Sequence, residues 1–315
     1  MAQRATPIEQ APQFEFRREL PLALQVLVRL VKEKPLGLVG GLLVLVIAIL
    51  AVLAPWVAPW GPNELGTGGR LEAPNGTHFF GTDNLGRDLF SRVVWGARVA
   101  MWVGFASVAI ATLISVSLGL VSGYFGGVFD ILVQRLVDAF LAFPALVFLL
   151  GVVAIFRDWR APFLPDEGVF STGVFLIIAS LGILFGVGQS RVIRGAVLSV
   201  SQATYVEAAR AIGVGHTRMI LVHILPNVVA PIITLATLSL GTAILSEATL
   251  SFLGLGVPPD VPSWGGMLSR EARIHMTAGW WLAVFPGVAL SAAVFGFNML
   301  GDALRDILDP RLRTG

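Results

Sequence analysis

Leu36-Gly-Leu-Val-Gly-Gly-Leu-Leu-Val-Leu-Val-Ile-Ala-Ile-Leu-Ala-Val-Leu-Ala-Pro-Trp56 contains no charged side chain and almost no polar one. A helix of about 20 residues at 1.5 Å per residue covers the roughly 30 Å hydrocarbon core of a bilayer. The stretch is therefore a transmembrane span, and it sets the solvent for the whole fold. Just upstream, Lys32-Glu33-Lys34-Pro35 marks the cytoplasmic side by its positive charge. Met1 to Lys34 is polar and mixed in charge, unlike a cleavable signal peptide, whose apolar segment follows a short basic start at once. Residues 1–35 read as a cytoplasmic arm and residues 36–56 as the first span.

The rest of the chain repeats this signal. Hydrophobic residues make up 55% of 315 and charged residues 13%, with mean hydropathy +0.79, values that define an integral membrane protein. Further spans are expected near Ala100 to Tyr124, Phe129 to Phe156, Phe170 to Gly188, Val228 to Leu250 and Trp280 to Leu300, giving an all-α protein of about six transmembrane helices. The expected layout is an extracytoplasmic loop with a lateral helix at 57–99, a core of five spans at 100–301, and a cytoplasmic tail at 302–315. An even span number puts both termini on one side. Counting Arg and Lys, the side holding the termini and the loop at 191–226 carries 14 against 8 opposite, which places that side in the cytoplasm.

Composition removes several function classes. A net charge of +2 gives no footprint for a nucleic-acid partner. With 0 cysteines there is no disulfide framework and no thiolate site, and the 4 histidines lack metal-ligand spacing. No cofactor or metal is expected. The only lysines are Lys32 and Lys34, so the chain cannot build the Gly-Lys-Ser/Thr phosphate loop of an ATPase. Neither Gly-x-Ser-x-Gly nor His-Glu-x-x-His occurs, which disfavours an intramembrane hydrolase. A secondary transporter or channel would call for unwound spans or charged chains at mid-membrane depth, together with repeats, and neither is clear.

Between the fourth and fifth apolar runs lies a polar interruption, Glu207-Ala-Ala-Arg-Ala-Ile-Gly213, followed by an amphipathic run ending His223-Ile-Leu-Pro226. Tyr205 to Ile212 favours a helix with Val206, Ala209 and Ile212 on one face and Glu207 and Arg210 toward water. Gly213 and Gly215 bend or stop it, and a second helical run is expected to close at Pro226. Helix, glycine hinge, helix fits either a loop lying on the membrane surface or a docking element.

Two outer segments are rich in turn chemistry. Gly81-Thr-Asp-Asn-Leu-Gly-Arg-Asp88 supplies caps and turns, with Asp83 and Arg87 read as braces. Ser251 to Met267 is broken by prolines and glycines and should fold back on the protein, while Trp264, Trp280 and Trp281 suit the membrane interface. Within the spans, Arg135 and Asp138 are spaced for mutual neutralisation. Glu247 and Asn298 have no evident partner in the sequence, which makes them the candidates for lining a polar path.

The block from Glu207 to Pro226 resembles the Glu-Ala-Ala signature of permease subunits in binding-protein-dependent ABC importers. Glu207, Ala208, Ala209, Gly213, Leu225 and Pro226 match, and His223 stands where the general pattern has Ile. Together with Gly81 to Asp88, His223-Ile-Leu-Pro-Asn227, Leu250-Ser-Phe-Leu-Gly-Leu-Gly256, Ser263-Trp-Gly265 and Gly301-Asp-Ala-Leu-Arg-Asp306, the ordered set is similar to the C-type permease of dipeptide, oligopeptide and nickel importers. Gly186 departs from it, standing where Trp is expected. The resemblance implies a type I importer permease fold in a bacterial or archaeal cytoplasmic membrane. It makes the 191–226 loop a cytoplasmic coupling element for two separate ATP-binding subunits, which would carry the ATP hydrolysis. It also implies a homologous B-type permease and an extracytoplasmic substrate-binding protein as partners. Dipeptides, longer peptides, glutathione and nickel remain open as substrates.

Overall fold

The computed structural model describes residues 29–308 apart from 157, 163, 166, 270–273 and 276. Most of the N-terminal arm, Asp309, Arg311 and Arg313 of the tail, and outer-side Arg157, Arg270 and Arg273 thus lie outside the described residues. Among the described residues, regular structure is helical save one bridge between Thr82 and Asp88. In chain order the helices are α1 Pro35–Val57, α2 Leu89–Phe125, α3 Gly127–Leu141, α4 Ala145–Ile155, α5 Thr172–Ser201, α6 Thr204–Ala211, α7 His216–Phe252, α8 Trp264–Met267 and α9 Trp281–Leu308.

Five of these, α1, α2, α5, α7 and α9, are long and apolar enough to cross a membrane. The expected third span, Phe129 to Phe156, is instead two helices, α3 and α4, bent by 81°. The cause is Pro144, which lacks an N–H, caps α4 with extended ψ 128°, and disfavours helical geometry at Phe143. The lateral helix expected within 57–99 is not a separate element either. Asp88 accepts from Ser91 N and starts a helix that runs unbroken for 37 residues into the second span.

Inside a bilayer, lipid is as apolar as leucine, so helices associate through close van der Waals contact rather than by leaving water. Glycines make that approach. A Cβ on Gly182 would stand 2.5 Å from Ile110 Cγ2, and on Gly119 2.7 Å from Ile193 Cβ, which zips α2 along α5. Gly186 belongs to the same seam, where a Cβ would stand 2.7 Å from Ile114 Cβ and 2.9 Å from the Ala111 carbonyl, so there is no room here for the expected Trp. Across the bundle, a Cβ on Gly40 would stand 2.7 Å from the Gly296 carbonyl oxygen, so this glycine lets α1 approach α9 closely. Helix α2 contributes to three separate apolar clusters and is the axis of the fold.

The two turn-rich segments expected on the outer side fold onto this bundle. Asp83 braces its own turn, accepting from Leu85 N, Arg87 N and Arg87 Nε at 2.6–3.0 Å. Segment 251–267 returns as α8, whose Gly265 rests on the Ala248 backbone. Trp264 and Trp281 are buried rather than interfacial. Their indole N–H groups donate to the Val93 and Thr82 carbonyls at 2.9 and 3.1 Å, pinning α8 to the N-terminal end of α2 and α9 to the segment that precedes it. Trp280 stays exposed.

Candidate coupling site

Helix α6 forms because Thr204 to Ala211 is a run without Gly or Pro that buries one narrow stripe. Val206 and Ala209 are buried against Ile193 and Val197 of α5 and Met219 and Ile224 of α7. Glu207, Ala208 and Arg210 are exposed. Gly213 then takes φ +82°, with its N–H donating to the Arg210 carbonyl and Val214 N–H to that of Ala209. This pairing closes the last helical carbonyls and turns the chain sharply.

Two expectations change here. Ile212 does not join Val206 and Ala209 on the buried face. Helix α6 ends at Ala211, Ile212 caps it at ψ 8°, and its side chain is 82% exposed. The second run does not close at Pro226 either. Pro226 cannot donate to the Val222 carbonyl, and the chain widens into a π-helical stretch over Met219–Ile224, with Leu225 N–H reaching back to the Ile220 carbonyl. Helix α7 then continues through Pro226 to Phe252. The six signature positions therefore separate by placement. Ala209 and, in part, Leu225 pack inward, while Glu207, Ala208, Gly213 and Pro226 face outward.

The chain has 2 tyrosines, and both hold this loop. Tyr205 OH donates to the His223 carbonyl at 3.3 Å, beside Asn227 Nδ2 at 2.8 Å. Tyr124, at the end of α2, lies 2.7 Å from His216 Nδ1 through its hydroxyl, and the Arg210 guanidinium sits 5.9 Å from its ring centre. Neither role has a short-range signal in the sequence.

Ion pairs attach α3 to the same region. Arg194 Nε donates to Asp130 Oδ1 at 2.6 Å and its terminal nitrogen to Oδ2, while Arg191 pairs with Asp138. Arg135, 78% exposed, stands 3.8 Å from Asp138, so the neighbour expected on the same helix is the weaker partner.

The two residues considered for a polar path are placed differently. Glu247 is 2% exposed and accepts from Ser251 Oγ at 2.7 Å, a partner one turn along its own helix. Asn298 is exposed, and its Oδ1 would lie 2.7 Å from a Cβ on Gly241.

A family described as binding-protein-dependent transport system inner membrane component matches residues 115–314, and the N-terminal transmembrane domain of oligopeptide transport permease C matches residues 24–74. The chain belongs to the binding-protein-dependent transport permeases. A dipeptide transport system permease protein of Alkalihalophilus pseudofirmus is 39% identical over 90% of this chain and 88% of its own length. A probable D,D-dipeptide transport system permease protein of Escherichia coli is 37% identical, covering 90% and 91%. A glutathione transport system permease protein of Pectobacterium atrosepticum is 37% identical, covering 87% of each. With its apolar helices, this binding-protein-dependent permease is a multi-pass inner membrane protein and a subunit of an ABC transport complex.

Proposed function

We propose that the chain forms half of the translocation pore of a peptide importer and couples that pore to separate ATPase subunits through residues 191–226. The observation that carries this reading is the outward presentation of Glu207, Ala208 and Ile212 on a short helix closed by the positive-φ turn at Gly213. A large apolar side chain 82% exposed beside a carboxylate is a surface suited to a protein partner. The chain's lack of any lysine outside the N-terminal arm supports a separate partner as the site of ATP hydrolysis. Both termini and this loop are cytoplasmic in the proposed orientation.

The α3–α4 elbow supports the pore half. Residues 141–147 are all exposed, and irregular backbone at membrane depth is tolerated only where protein covers it or water lines it. A homologous B-type permease and the aqueous path between the two subunits supply those surroundings. An extracytoplasmic binding protein delivers substrate to the outer face, and Asn298, exposed on α9, is a candidate for lining the path. Peptides are the proposed cargo because relatives covering nearly the whole chain bear peptide names.

The test is Glu207→Ala and Gly213→Pro in the purified complex. Weaker ATPase assembly, or hydrolysis without uptake, is expected for both. Normal complex yield and normal uptake in both variants would sink the proposal.

A further inference from the structure

The contacts of Tyr124 reach beyond holding one helix end. Its hydroxyl meets His216, the first residue of α7, and its ring faces Arg210 near the end of α6. It thus touches both arms of the loop across the Gly213 turn. Phe125 adds a ring 5.8 Å from His216. Immediately afterwards, Gly126 and Gly127 both take positive φ, +62° and +59°, and no atom lies within 4 Å of where their Cβ atoms would be. Tyr124 therefore sits on the last turn of a long rigid helix, with a pliant joint directly behind it.

Helix α2 is suited to carry a displacement. Its 37 residues span about 55 Å at 1.5 Å per residue. At the far end, Asp88 caps it through Ser91 N at 2.7 Å and meets buried His78 at 2.9 Å. Helix α5 is zipped to its side by Gly119, Gly123, Gly182 and Gly186 and leads straight into α6. The coupling loop is thus fixed by chain continuity to α5 and α7, and to the end of α2 by Tyr124 and Phe125, with Leu120 packed beneath them, Tyr124 being the one of the three that reaches both Arg210 and His216.

We propose that Tyr124 is a positioning residue for transport. It sets the attitude of the coupling loop through Arg210 and His216 and passes the loop's displacement into α2. This rests on the loop being the ATPase contact. Coupling of this kind travels through rigid elements that adopt two arrangements.

The experiment compares Tyr124→Ala, Tyr124→Phe and His216→Ala in the reconstituted full complex, reading substrate taken up per ATP hydrolysed alongside complex yield. Tyr124→Ala should lower uptake per ATP about fivefold, the scale of removing one hydrogen bond and one cation–π interaction together, with the complex still assembled. Tyr124→Phe keeps the ring over Arg210 and should lose about twofold, and adding His216→Ala to it should cost less than His216→Ala costs alone, because the hydrogen bond is already gone and only the ring contacts of His216 remain to be lost. Should Tyr124→Ala fail to assemble, Tyr124→Phe and the exposed His216→Ala read the same interaction. Unchanged uptake per ATP in those two variants, or a drop in yield with no change in that ratio, overturns the inference. Gly213→Pro run in parallel separates the two readings. Uncoupling there with none at Tyr124 removes only this inference, whereas none at either removes both.

Discussion

Gly213 has open space around its Cα and is constrained by its φ of +82° alone. Gly213→Ala should therefore fold with the same neighbours while destabilising the turn by roughly 1–2 kcal/mol, the cost of a left-handed backbone for an L side chain. A lower melting temperature of the detergent-purified chain checks this, and an unchanged one would mean that the turn relaxes. The glycine was readable from sequence because its chemistry is local. Ile212 was not, because whether it ends up buried depends on a helix ending one residue sooner than its apolar periodicity suggests. Tyr124 and Tyr205 were silent for a related reason. Their partners, His216 and the His223 carbonyl, lie 92 and 18 residues away, and only the folded bundle brings them together.

At the scale of elements, α3 is held to α5 by charge more than by packing. Asp130 and Val137 are its buried residues, and Asp130 is gripped at both oxygens by Arg194. Arg194→Gln leaves a mostly buried carboxylate without its counter-ion. Breaking a fully buried pair in this way costs about 3–5 kcal/mol. Because the Arg194 side chain is 29% exposed, about 1–2 kcal/mol is the expected loss here. Asp130→Asn in the same chain should restore most of it, as read by thermal melting. Failure of the second change to restore stability would show that the arginine acts on something other than Asp130. The elbow between α3 and α4 was latent in Phe143-Pro144, but the apolar run on both sides outweighed one proline when the spans were placed. At Pro226 the opposite occurred. There a proline that suggested a helix end was absorbed by the π-helical stretch before it, since the helix could widen and continue into the bilayer.

For the whole molecule, hydropathy marked the five helices long and apolar enough to cross a membrane, though not the bend in the sixth apolar run, and charge asymmetry supplies their proposed direction, because the bilayer acts on each segment separately. The arrangement of the crossings around α2 depends on which glycines face which neighbours, and no single-chain pattern encodes that. The native absence of cysteine makes the direction directly measurable. Thr217→Cys, exposed on the 191–226 loop, and Thr77→Cys, exposed on the segment between α1 and α2, can each carry the only thiol in the chain. In right-side-out vesicles a membrane-impermeant maleimide should label Thr77→Cys and spare Thr217→Cys until the membrane is opened, and the reverse order would invert the topology. The exposed elbow has a bearing on the life of the chain before assembly. If a second permease covers the elbow at membrane depth, as proposed, a newly inserted copy without that neighbour would show bent backbone to lipid, at a cost of several kcal/mol for each polar group left bare. On that reading such an orphan would be a substrate for membrane quality-control proteases, which would tie the supply of this subunit to that of its neighbour.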